Sequence, residues 1–145
     1  MLDALGGAPL FHLAGHGVLE PDHPWDAHLR LAADETIVLA DLIARAPQIG
    51  VAVLSGCETG VPQALSRDER IGLPDALLAA GGRAVLAADR LLPDADAAQL
   101  IRVFYAHGGA TEPAEALRAA RVEMRARGDE AWRGWRVTGR RIKKM

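Results

Sequence analysis

Three short apolar runs constrain this chain most: APLFHLA at 8–14, GVAVLSG at 50–56 and RAVLAA at 83–88. Each is too short for a helix and too continuously apolar for a strand with one wet face. Each therefore reads as a buried strand. Between and after them the apolar spacing turns helical. Thr36 is an N-cap for a helix over Ile37–Ala46 that Pro47 ends, and Ile71–Ala80 is a helix closed by Gly81 and Gly82. A third helix is expected over Ala97–His107, and Pro113 starts a last one over Pro113–Arg127. The remaining pieces are smaller. Residues 18–28 and 58–70 read as loops, 29–33 as a short edge strand, and WRGWRVTG as a closing strand before a basic end. Strands alternating with helices through short loops give an α/β fold with a largely parallel sheet. Such a sheet wants helices on both faces, and the chain has few to supply.

Composition bounds the function. At 145 residues, half of them apolar, the chain suits one domain with a real core. A formal charge of −2 and a pI near 6.2 exclude a general polyanion binder. One cysteine, Cys57, excludes a disulfide framework and fits a reducing compartment. No run reaches the ~18 apolar residues of a membrane span, and MLDALGGAPL lacks the basic start of an export signal. A cytoplasmic protein is expected.

In an α/β sheet, ligands sit at the C-terminal edge of the strands. His16 reaches that edge inside AGHG, and Cys57 reaches it inside LSGCETG. A thiol attacks only as thiolate, and a nearby imidazole lowers its pKa and later protonates the leaving group. Glycines beside both residues leave backbone N–H groups free to approach a developing oxyanion. The order, histidine first and cysteine 41 residues later, matches caspase-like rather than papain-like usage. The alternative for the same residues is a small buried thiol and a hydrogen-bonded loop histidine.

Several ordered motifs carry a resemblance: FHLAGHGV, VAVLSGCETG, DERIGLPDALLAAGGRAVLAA, FYAHGG, EPAEALRAAR and WRGWRVTG. From about Phe11 to Gly139 the chain resembles the CHAT domain. That is the caspase-like cysteine peptidase domain of clan CD, related to separase and found in bacterial proteins that also carry TPR regions. The family pattern is an H-F-A-x-H-G strand end, an L-S-A-C-x-T-G strand end and a G-L-x-x-x-F-L-x-A-G-A helix–strand, followed by the F-Y and A-E-A-L-R helices and a W-x-x-F-x-x-x-G ending. The resemblance implies a caspase-like three-layer sandwich over residues 1–139, with 140–145 as a basic tail. His16 would be the general acid/base and Cys57 the nucleophile. The N–H groups of Gly17 and Cys57 would form the oxyanion hole, and no cofactor would be needed. The chain departs from the family in three ways. Its L-W-P-V-x-D turn is DRLLPDAD here, and L-S-A-C is L-S-G-C. The resemblance also starts near residue 1, whereas the full domain has further strands and helices before the histidine strand. An open sheet edge is therefore expected, covered by an upstream sensor or TPR region, a partner chain or a second copy.

Smaller signals complete the expectations. His12 and His16, four apart, would share a strand face, but no third ligand has metal spacing, so no metal is expected. Caspase-like enzymes often read a charged residue before the cut. Asp89 after the third strand is the first candidate carboxylate for that role, with Glu58 and Asp96 as further ones. Trp132 and Trp135 are expected to pack, Trp25 to line a cleft or cap the core, and the arginine- and lysine-rich end to be solvated. The expected function is a cysteine endopeptidase that cleaves a protein or peptide substrate through an acyl-enzyme. The alternative is a catalytically inactive CHAT-derived interaction module. Neither nucleic acid nor membrane is expected as a partner.

Overall fold

All four residues of the run VAVL are fully buried, because sheet neighbours flank them and layers cover both faces. The structure is a computed structural model that describes residues 6–18, 23, 26–31, 35–45, 48–56, 63–64 and 70–139. In chain order the strands and helices are β1 (Leu10–Leu13), β2 (His16–Val18), β3 (His28–Arg30), β4 (Thr36–Val38), α1 (Leu39–Arg45) and β5 (Val51–Leu54). They continue with β6 (Gln63–Ala64), β7 (Arg70–Ile71), α2 (Leu73–Ala79), β8 (Ala84–Ala88), α3 (Asp94–Ala106), α4 (Pro113–Ala126) and β9 (Trp135–Gly139).

The main sheet has the order β1-β5-β8-β9. The first three strands are parallel, with Leu10 opposite Val51 and Val51 opposite Ala84; β9 runs antiparallel, with Trp135 opposite Ala88. Alternation along each strand sends its side chains into two separate cores. Ala52, Leu54, Val85 and Ala87 join Leu42 of α1, Leu77 of α2 and Leu29 of β3 on one face. Val51, Val53, Leu86 and Ala88 join Leu100 and Phe104 of α3 and Leu117 and Met124 of α4 on the other. The molecule is thus a mixed α/β sandwich of three layers, consistent with the caspase-like kind. Among the described residues two helices lie on each face, so the expected shortage of helices does not arise for β5 and β8. Among the described residues β1 ends the sheet on its side.

Several expected elements are corrected. Thr36 does not cap a helix. Thr36–Val38 is a strand, antiparallel to β3, and α1 starts only at Leu39. Three β-branched residues in a row pack better on a pleated surface than in a first helical turn. The stretch read as an edge strand at 29–33 is β3 at 28–30, the middle of a second sheet ordered β2-β3-β4. Residues 18 and 28, the ends of the stretch read as a loop, therefore belong to the antiparallel pair β2–β3, and 58–70 holds part of the short β6–β7 pair. Helix α2 begins at Leu73, not Ile71, with the Gly72 N–H donating to the Asp75 carboxylate at 3.0 Å. Its end does follow expectation. Gly81 takes φ +101°, with Gly81 N–H bonded to the Leu78 carbonyl and Gly82 N–H to that of Leu77, a Schellman closure. Helix α3 starts three residues early, at Asp94, because Pro93 fixes its entry and Asp94 and Asp96 favour the positive end of the helix dipole.

Candidate functional site

The C-terminal ends of β1 and β5 meet under the start of α3 and leave a cleft of about 400 Å³. Its walls are mostly small and apolar, with Ala97, Ala98 and Ile101 from α3 on one side. Three polar side chains enter it: His12 from β1, Ser55 from the end of β5 and Asp94 from the first turn of α3. The backbone glycines Gly15 and Gly56 line it as well. This is the strand-end position at which open α/β sheets bind ligands.

The polar groups are ordered by one hydrogen-bonded chain. The Leu13 carbonyl accepts both the N–H of Ser55, at 2.9 Å, and its hydroxyl, at 3.1 Å. Because that hydroxyl has only one proton, Ser55 Oγ is an acceptor toward His12 Nε2, 3.1 Å away. His12 therefore carries its proton on Nε2, and Nδ1 accepts from the Tyr105 hydroxyl at 3.1 Å. The His12 and Tyr105 rings are tilted by 51° with centroids 5.6 Å apart, and Tyr105 in turn leans on Phe104. Partial burial lowers the His12 pKa below its ordinary value and raises that of Tyr105. Both shifts favour the neutral forms that this chain of donors requires.

Four of the expected site residues, His16, Gly17, Asp89 and Asp96, lie among the described residues. His16 and Gly17 lie in β2, opposite Arg30 and Leu29 of β3. His12 and His16 thus stand on strands of different sheets, not on one strand face as their spacing suggested, because the chain leaves the main sheet at Ala14 and Gly15. Cys57 and Glu58 lie outside the described residues, as does Trp25. Asp89 is at the end of β8, 3.6 Å from the Arg136 guanidinium on β9. Asp96 lines a second, more polar hollow with Arg90, Asp129 and Arg133. Trp135 is buried against α3 and α4, and Trp132 is partly buried beneath the Arg133 guanidinium.

Sequence reasoning missed three side chains here. Asp94 escapes it because the apolar spacing places the start of α3 at Ala97; the pair Pro93-Asp94, a proline followed by an acid, is the available signal. Ser55 and Tyr105 carry no local signal, since one follows a buried strand and the other sits 50 residues later on a helix. Among the described residues no helix is long and apolar enough to cross a membrane. Residues 1–135 match the family model of the CHAT domain. No curated protein matches the chain.

Proposed function

The chain belongs to the CHAT domain family, whose members are generally caspase-like peptidases, and we propose that it is a cysteine endopeptidase with His16 and Cys57 as its dyad. The observation that carries this reading is the position of the cleft. Gly15 and Gly56 line it, and the next residues along the chain are His16 and Cys57. The ends of β1 and β5 thus border one hollow, and residues of the types that a general acid/base and a nucleophile require come next in the sequence after the glycines that line it.

In the proposed reaction the Cys57 thiolate adds to the scissile carbonyl, and the N–H groups of Gly17 and Cys57 take the charge that develops on its oxygen. His16 as imidazolium protonates the leaving amine as the C–N bond breaks, leaving a thioester. The neutral imidazole then takes a proton from water, whose oxygen attacks the thioester and releases the acid. The steps need no cofactor. Three carboxylates are proposed to read the residue before the cut. Asp94 lines the cleft, Asp89 stands at the end of the neighbouring strand, and Glu58 follows the nucleophile in sequence. All three favour a basic residue there. The partners proposed are a protein or peptide substrate, and a sensor region, partner chain or second copy against the outer edge of β1.

Cys57 is the chain's one cysteine, so alkylation reports on it alone. Iodoacetamide labelling of wild type is expected to persist below pH 7, and in His16→Ala to move toward the ordinary thiol value of about 8.5. Cleavage of a peptide pool is expected to vanish in Cys57→Ala. Equal titration near pH 8.5 in wild type and His16→Ala, with no cleavage, would reject the peptidase and leave a non-catalytic interaction module.

A further inference from the structure

We infer that Tyr105, His12 and Ser55 form a positioning network that locks the ends of β1 and β5 at the spacing the proposed dyad needs. The inference rests on the peptidase reading and names residues that this reading does not use. The observation is the direction of the hydrogen bonds. Tyr105 donates to His12 Nδ1, His12 Nε2–H donates to Ser55 Oγ, and Ser55 donates to the Leu13 carbonyl. Every proton in the chain has one acceptor. The order holds only while the imidazole is neutral, because a proton on Nδ1 would face the tyrosine's donor.

The network joins three elements: α3 through Tyr105, β1 through His12 and Leu13, and β5 through Ser55. It is anchored two or three residues upstream of each proposed catalytic group, since His16 follows Leu13 by three residues and Cys57 follows Ser55 by two. Strand pairing alone ends at Leu13 and Leu54. Beyond that point the Ser55 N–H and hydroxyl on the Leu13 carbonyl, with His12 bracing the hydroxyl, continue the contact between the two strand ends. A reacting pair displaced by about 1 Å loses on the order of a hundredfold in rate, so such a brace has a kinetic role. Among the described residues the groups facing His12 are Tyr105 from α3 and Ser55 just after β5, and Asp94 from the first turn of α3 lines the same cleft.

Ser55 beside a histidine also suggests a serine nucleophile, but the geometry argues otherwise. Its proton is committed to the Leu13 carbonyl, and His12 presents to it a proton rather than a lone pair.

The test is the pH profile of Cys57 alkylation in Tyr105→Phe, His12→Leu and His12→Gln, beside wild type and His16→Ala. Tyr105→Phe removes one hydroxyl and keeps the ring, so it serves if His12→Leu does not fold. Circular dichroism and thermal midpoints select folded variants. The expected result is a rise in the thiol pKa of about one unit in Tyr105→Phe and His12→Leu, which slows labelling at pH 6 about tenfold. His12→Gln, whose amide can accept from Tyr105 and donate to Ser55, is expected to restore most of the wild-type profile. Folded variants with the wild-type midpoint would overturn the network while the peptidase reading stands. A wild-type midpoint equal to that of His16→Ala would overturn both. Labelling of Ser55 by a fluorophosphonate probe would overturn the network in favour of a serine nucleophile.

Discussion

His12 is a histidine whose neutral form the fold prefers. Burial holds its pKa below the unfolded value of 6.5, so between the two values the unfolded chain binds a proton that the native protein does not. Stability from this residue is complete above pH 6.5 and is lost as the pH falls through the lower folded value. Thermal midpoints at pH 7.5 and pH 5.5 check this: wild type should lose more on acidification than His12→Gln, which cannot titrate. Equal losses would mean that the imidazole is not held neutral. At this scale the candidate site was partly legible. The sequence marks the two apolar runs whose ends, with Gly15 and Gly56, line the cleft. It does not mark Tyr105, whose partner is 93 residues away, because an ordinary helical aromatic looks the same whether or not its hydroxyl has a task.

At the scale of elements, caps and turns were easier to read than short strands. The Gly81 closure of α2 was legible because a glycine pair after a helical pattern has one common use. Replacing Gly81 by alanine forces a side chain onto a residue at φ +101° and is expected to cost about 1–2 kcal/mol. A lower urea midpoint at unchanged slope measures it. The segment 36–38 shows the opposite case. Threonine before an apolar run suggests an N-cap, yet Ile37 sits across from Leu29 and is buried in the core. A three-residue strand has too few residues to display a period of two, so only its pairing reveals it. The α3–α4 pair is joined in the same non-local way. His107, at the end of α3, bonds Glu123 of α4 at 2.6 Å and holds that carboxyl below its usual range, helped by Arg127.

Across the whole molecule, the three-layer order turns the central strands into the wall between two cores. Leu86, fully buried in β8 on the α3–α4 side, has no solvent-facing space into which the structure could relax. Leu86→Ala is expected to cost about 2–5 kcal/mol, again read as a shift of the urea midpoint. The sequence by itself determined the layered α/β character, since short continuous apolar runs fit covered strands. β5 and β8 are buried throughout, whereas β1, expected to be buried as well, buries only Leu13 because it ends the sheet among the described residues. The sequence also determined that a histidine and a cysteine follow two of the apolar runs. The tertiary structure decided the rest. It set the strand order, the second sheet built by residues 16–18, 28–30 and 36–38, and the meeting of His12, Ser55 and Tyr105 beside one cleft. Periodicity and capping are properties of neighbours along the chain, whereas a register or a hydrogen bond between distant residues exists only once the layers have closed.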